Sequence, residues 1–147
     1  MGRGEGVGNT MNNCELCQHQ GEVVIKTSQW RVVLIDDIHY PGFCRVIWNA
    51  HVREMTDLSL DERALFMKVV WQVEAAIRQV LQPHKVNLAS LGNVVPHLHW
   101  HVIPRFLDDL HFPNPIWGKV ERSINPAIEQ RRALIPALKT AIQTKLK

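Results

Sequence analysis

The sequence predicts an α+β fold, a small, mainly antiparallel sheet with a long helix and a C-terminal helix packed on it. Three observations carry that expectation. Short β-rich runs at 22–26, 30–35 and 43–48 are divided by turn-like breaks. Residues 55–82 then repeat apolar side chains at helical spacing. After them, His97-Leu98-His99-Trp100-His101-Val102-Ile103-Pro104-Arg105 alternates with a period of two, which an extended chain sorts into an imidazole face and an apolar face. A helix would scatter the three histidines around its axis, so the strand is the conformation that makes the pattern useful. The imidazoles of such a strand would stand in a row about 7 Å apart.

Length and composition bound the rest. The chain has 147 residues, 46% hydrophobic and 21% charged, with a formal net charge of +3. That describes a globular protein rather than a disordered chain, with 1–13 as a flexible, Gly- and Asn-rich lead-in and 14–147 as a single domain. No apolar run approaches a membrane span, and the first residues lack the apolar segment of a signal peptide. No membrane partner and a cytoplasmic location are therefore expected. The charge is too mild to call for a nucleic acid polymer, though it suits a small anionic ligand.

Taken in order, Cys14-Glu15-Leu16-Cys17 is a Cys-x-x-Cys pair. Three cysteines in a reducing compartment do not make a disulfide framework, and no strand precedes the pair as a thioredoxin-like motif requires. Zinc suits the pair, yet a closed site needs about four donors and the pair supplies two; two free thiols are the other reading. Glu22-Val23-Val24-Ile25-Lys26 and Trp30 to Ile35 read as a hairpin about Thr27-Ser28-Gln29. Asp36-Asp37-Ile38 ends the second strand, Tyr40-Pro41-Gly42 turns, and Phe43 to Trp48 is the third strand, with Cys44 a small apolar member. In the long helix, Met55 to Gln82, Ser59 and Glu62 form a capping-box pattern. Its stripe of Leu65, Phe66, Val69, Val70, Val73, Ala76, Ile77, Val80 and Leu81 faces the sheet, Pro83 stops it, and Trp71 stands off the stripe, toward solvent or a partner subunit.

Lys85 to Leu91 is the next strand. In the loop Gly92-Asn93-Val94-Val95-Pro96 that follows, a glycine admits close backbone approach and successive N–H groups can nest an anion. Beyond the histidine strand, the Pro- and aromatic-rich stretch 111–118 is an ordered loop whose Trp117 either packs or stacks on a base. Asn125-Pro126 caps and starts a last helix, which Pro136 kinks or divides.

His-Leu-His-Trp-His-Val-Ile resembles the signature of the histidine triad (HIT) family, His-φ-His-φ-His-φ-φ with φ apolar, at all seven positions, and the likeness extends upstream to about Cys14. It implies a HIT-like fold, commonly paired into a homodimer through one continuous sheet. It implies that His99 attacks the α-phosphorus of an adenosine-type nucleotide, that His101 donates to a phosphate oxygen, and that His97 orients the row or binds zinc. A structural zinc would be held by Cys14, Cys17, His51 and His97. Substrate contacts would come from Asp37 and Ile38 at the ribose, Asn87 bordering the site, and Gly92, Asn93 and Val94 at the phosphate. Two positions depart from the pattern. Phe43 stands where many members have a histidine, and Val94 replaces the usual hydroxyl residue while keeping its N–H. Leu98 and His101 stand where the transferase branch has Pro and Gln, which favours hydrolysis. The substrates implied are dinucleoside polyphosphates, as in diadenosine polyphosphate hydrolase-like members, or nucleoside phosphoramidates.

Neutral imidazole is nucleophilic at cellular pH and its phosphoramidate is labile, so a nucleotidyl-histidine pathway requires no catalytic cofactor. Two other readings stand beside it. One is a zinc-dependent hydrolase using the His-x-His pair; since three histidines along a strand span about 13–14 Å, it would need outside ligands. The other is a non-enzymatic nucleotide-binding adaptor or sensor.

Overall fold

The computed structural model describes residues 14–19, 21–123 and 127–147. The lead-in expected at 1–13 and the cap expected at Asn125-Pro126 lie outside the described residues. Strands β1 (Glu22–Lys26), β2 (Trp30–Leu34), β3 (Cys44–Trp48), β4 (Lys85–Ala89) and β5 (His99–Arg105) form one sheet in the order β1-β2-β3-β5-β4. Every neighbouring pair is antiparallel, so the expected sheet is antiparallel throughout. The helices are α1 (Glu15–Gln18), α2 (Leu60–Leu81), α3 (Ile128–Arg132) and α4 (Ile135–Leu146). None of the described helices is long and apolar enough to cross a membrane.

The long helix begins at Leu60 rather than at the expected Met55, because the caps set its start. Ser59 accepts from the Glu62 amide at 3.2 Å, and the Glu62 carboxylate accepts from the Ser59 amide at 2.8 Å. Met55–Asp57 is a separate 3-10 turn closed by the Asp57 carboxylate on the amides of Arg53 and Glu54. At the other end Gln82 takes a left-handed conformation just ahead of Pro83. The last helix is divided as Pro136 predicts: the break falls at Ala133-Leu134, and Pro136 occupies the first turn of α4, where its missing N–H costs nothing.

The expected stripe of α2 packs on one face of the sheet. Phe66, Val69, Val70, Val73, Ala76 and Ile77 meet Val32, Leu34, Cys44, Val46, Trp48 and Val102, and Leu138 and Ile142 of α4 complete the layer. Phe66 meets Trp48 edge-on at 5.4 Å between ring centroids. Each large side chain sealed here contributes about 1.5–3 kcal/mol over leaving it in water. Gly42 has φ +91°, and a Cβ there would collide with Leu81 and crowd Leu138, so only glycine lets this turn pass beneath both helices.

The opposite face carries Arg31, Val33, Arg45, Ile47, His99, His101 and Ile103, set by the registers Arg31↔Ile47, Val33↔Arg45, Arg45↔His101 and Ile47↔His99. One edge is irregular. The β1–β2 register shifts between Val23 and Ile25, leaving Val24 as a bulge. The Val24 carbonyl accepts from Gln143 Nε2 of α4 at 3.0 Å, and Lys139 pairs with Glu22 at 2.6 Å beside it.

Candidate active site and metal centre

The histidine run is extended, but His97 lies outside the strand that was expected to hold all three. Pro96 precedes it, and Leu98 sits at the margin of the ladder: its carbonyl accepts from the amide of Trp48, the last residue of β3, at 3.2 Å, while its own amide donates beyond that strand to Val52 O at 2.8 Å. Ladder pairing with β3 starts at His99. Leu98, Trp100 and Val102 face the helix layer as the alternation requires, while His99 and His101 share the other face.

His97 points to a different group of side chains. Its ring is fully buried. Nε2–H donates to the Trp48 carbonyl at 2.6 Å; a carbonyl only accepts, so this nitrogen carries the proton and Nδ1 keeps its lone pair. Nδ1 lies 3.4 Å from Cys14 Sγ, 3.4 Å from Cys17 Sγ and 3.3 Å from His51 Nδ1, and Cys17 Sγ is 3.2 Å from His51 Nδ1. Around a tetrahedral zinc with ordinary bond lengths the donor-to-donor edges are about 3.3–3.8 Å. The four donors all lie within 4.8 Å of one another, so their chemistry and spacing fit such an ion. This is the one convergent group of three or more His, Cys, Asp or Glu donors among the described residues. Arg31 is packed behind it, donating to the carbonyls of Leu16 at 2.7 Å and His19 at 3.3 Å, which ties the cysteine turn to β2. Burial and the neighbouring Cys14 push the Cys17 thiol up to about 11, while Arg31 pulls the other way.

His99 has the converse arrangement. Nδ1–H donates to the backbone carbonyl of His97 at 2.6 Å, so Nε2 is the unprotonated nitrogen. Burial, then the charge of Arg45, hold its pKa below the ordinary imidazole value against the opposing pull of the His97 carbonyl. His101 is 4.8 Å from His99 between ring centroids and 5.0 Å from Trp117, with Phe43 behind it at 5.7 Å. Burial first, then His99 and Arg45, lower its pKa to about 3, and its buried Nδ1 has no partner. An aromatic ring therefore supports His101 by packing at the position where a histidine is common in the family.

Both rings open into a cleft of about 510 Å³ walled by Gly92, Asn93, Val94, Val95, Arg45, Glu15, Leu91 and Trp117. The predicted glycine loop thus stands beside the predicted nucleophile, with Gly92 at φ +78°. Trp117 serves as a cleft wall, packed edge-on against His101. Its loop is anchored by a buried pair: Arg105 grips Asp109 through Nε at 2.8 Å and Nη2 at 3.1 Å and also donates to Asn114 O at 2.6 Å. Burial works against the charge of Asp109, but Arg105 and the amides of Phe106 and Phe112 outweigh it and hold the carboxyl below its ordinary value.

The other predicted contacts lie further off. Asn87 accepts from Arg105 Nη1 at 2.7 Å and lines a neighbouring groove shared with Leu91 and Trp117. Asp37 accepts from the His39 amide at 2.9 Å, closing a local turn, and Ile38 is exposed; neither walls the cleft. Asp36 instead lines an adjoining recess of about 320 Å³ with Val33, Ile35 and Ile47, divided from the cleft by Arg45 and Glu15. Sequence reasoning missed Arg45, Glu15 and Asp36. Arg45 had a readable sign: it is the lone charge in Cys-Arg-Val-Ile-Trp, and period-two alternation sets it opposite the core-facing Cys44, Val46 and Trp48.

Residues 17–108 match the family model described as HIT domain. Over 110 residues the chain is 30% identical to the AP-4-A phosphorylase of Mycobacterium tuberculosis, an alignment covering 71% of this chain and 56% of that protein. The chain thus spans about half the length of the curated relatives it matches. It superposes on a histidine triad protein from Bradyrhizobium japonicum with a TM-score of 0.68 and 27% identity, over 85% of this chain and 90% of that one. A histidine triad protein from Marinobacter aquaeolei VT8 follows at 0.65 and 26%, over 84% and 87%.

Proposed function

This chain belongs to the HIT domain family, and we propose that it cleaves adenosine-type nucleotides at the α-phosphate through a nucleotidyl-His99 intermediate. Likeness to the AP-4-A phosphorylase supports a nucleotide-processing enzyme. The observation that carries the finer reading is the His99 tautomer: with Nδ1–H held by the His97 carbonyl, Nε2 is an unprotonated nitrogen beside the glycine loop. In the first step Nε2 forms a bond to the α-phosphorus, and the bond from phosphorus to the leaving oxygen or nitrogen breaks with its electron pair going to the leaving group. A polyphosphate leaves as an anion; an amine needs a proton as it leaves. In the second step an acceptor attacks phosphorus and the P–N bond breaks with its electron pair returning to Nε2, which restores neutral imidazole; when the acceptor is water, its proton passes to solvent. In this reading the amides of Gly92, Asn93 and Val94 and the His101 ring, which all line the cleft, meet the nonbridging oxygens, where charge builds up.

The acceptor is water in our first reading and inorganic phosphate in the second, which the AP-4-A phosphorylase relative favours. Incubating the protein with diadenosine tetraphosphate, with and without phosphate, separates them: water gives AMP and ATP, phosphate gives ADP and ATP. A 329-dalton adenylyl-type adduct is not needed for that distinction, but trapping any adduct on His99 tests the shared intermediate, and its absence from a protein that turns substrate over overturns it.

The recess beside Asp36 suits a nucleoside, with an apolar floor for the base and a carboxylate for the ribose hydroxyls; in this reading Asp36 takes the role expected of Asp37 and Ile38, and Asn87 acts through Arg105. The Cys14, Cys17, His51 and His97 centre binds zinc in a structural role, closed by four protein donors and away from the reacting phosphate. Two copies pair along β4, whose groove carries Leu88, Leu91, Pro115 and Trp117, and the protein works in the cytoplasm, where its thiols stay reduced.

A further inference from the structure

Three arginines stand on the sheet face that carries the histidines, and they differ in how they are satisfied. Arg31 donates to Asn49 Oδ1 and to the carbonyls of Leu16 and His19. Arg105 is held by Asp109, Asn87 and the Asn114 carbonyl. The Arg45 side chain makes no hydrogen bond among the described residues, and its Nε is buried without a partner. Burial lowers its pKa, and the charge that opposes this is that of Glu15, an exposed side chain. A partly desolvated guanidinium with no partner is costly, and the cost is recovered when an anion arrives.

Its position says which anion. Arg45 is the cross-strand partner of His101 and walls both the histidine cleft and the recess beyond it. In the proposed pose, with the α-phosphate at His99, the phosphates linked to it share the cleft that Arg45 walls. Guanidinium is the side chain best matched to phosphate oxygens, because its planar fork makes paired donors where an ammonium offers a point charge.

We propose that Arg45 reads the phosphate chain, donating to nonbridging oxygens of the phosphates beside the one attacked, and so selects nucleotides carrying a polyphosphate over those carrying a single phosphate. This rests on the reading that His99 attacks a nucleotide α-phosphate. Arg45 is a substrate-selecting residue in this scheme, and the covalent steps stay with His99. A phosphoramidate brings one negative charge to the cleft, whereas a dinucleoside polyphosphate brings one on each phosphate, so the two classes differ in what Arg45 can hold.

The test compares wild type, Arg45→Lys and Arg45→Gln, each checked by thermal melting, on an adenosine phosphoramidate and on diadenosine tetraphosphate. Calorimetric titrations of the same proteins with adenosine, AMP and ADP run alongside. Arg45→Gln is expected to lower the ratio of kcat/KM for the polyphosphate to that for the phosphoramidate by about 10- to 100-fold, mostly through KM, with Arg45→Lys between. The gain in affinity from AMP to ADP should shrink in the same order. Equal losses on both substrates with the AMP-to-ADP gain intact overturn the proposal while leaving the His99 reading standing. A wild type that turns over neither substrate, yet loses its AMP-to-ADP gain in Arg45→Gln, does the reverse. A wild type that turns over neither substrate and shows no such gain overturns both, and one that turns substrate over without such a gain overturns the proposal alone.

Discussion

Two histidines two residues apart, His97 and His99, use a backbone carbonyl for opposite ends. At His97 the Trp48 carbonyl takes Nε2–H and frees Nδ1 toward two thiols and a second imidazole. At His99 the carbonyl of His97 takes Nδ1–H and frees Nε2 toward the cleft. In the proposed function one side chain is a metal donor and the other a nucleophile, without any difference in residue type. The lesson is that a histidine's chemistry is assigned by whichever carbonyl its other nitrogen reaches, here that of Trp48 for one ring and that of His97 for the other.

The strongest way to break the comparison is to remove one ring and watch the other region. His99→Ala should cut turnover by at least about a thousandfold, the scale of losing a nucleophile, while metal analysis shows the Cys14, Cys17, His51, His97 centre still loaded. Loss of metal together with activity would show that the two regions are one. Cys17→Ala makes the converse cut. It should empty the centre and lower Tm by about 10 °C, as loss of a structural metal from a domain of this size implies. Turnover should fall less than in His99→Ala.

Acid sharpens the contrast. At the metal centre the Cys17 thiol, pushed up to about 11 by burial and by Cys14, must lose its proton to become a ligand. Metal binding should therefore release protons and weaken steadily as pH falls, which a pH-indicator titration reads directly. At the reactive row the effect falls on stability instead. His101 titrates near 3 in the folded chain against an ordinary 6.5. Between those values the unfolded chain holds a proton that the native chain refuses, so stability present above about pH 6.5 drains away as pH drops toward 3. The urea midpoint should be lower at pH 5 than at pH 7. His101→Gln should shrink that difference without abolishing it, because burial depresses His97 and His99 as well. The smallest effect is expected from Trp117→Ala. Removing a ring that packs edge-on against His101 widens the cleft, so KM should rise severalfold with kcat little altered, as steady-state rates will show.

Much of this was legible in the residues, for identifiable reasons. Period-two alternation placed His99 and His101 opposite Trp100 and Val102, because a strand allows no other sorting. The Ser59–Glu62 box and the stripe through Phe66, Val73 and Ile77 located the long helix, although the capping residue, and not the first apolar position, set where it begins. His97 lies outside the strand, and alternation alone does not report where pairing starts; β3 ends at Trp48, and the Leu98 amide donates beyond it to Val52 O. The metal centre was visible as a Cys-x-x-Cys pair short of two donors, and likeness to a family, rather than spacing, supplied His51 and His97. Arg45 and Glu15 sit in short elements and Asp36 in the segment just after β2, and the facing of all three depends on neighbours distant in sequence.

The bulge at Val24 bears on how such a sheet can grow. A strand edge invites another chain to add to it, and this edge is spoiled: its out-of-register carbonyl is already occupied by Gln143 and its flank is guarded by the Lys139–Glu22 pair. In the proposed pairing, extension uses the opposite side, at β4: a second copy joins there, a third would find no rail to ride on, and growth would stop at a closed two-fold pair instead of running on into a fibre.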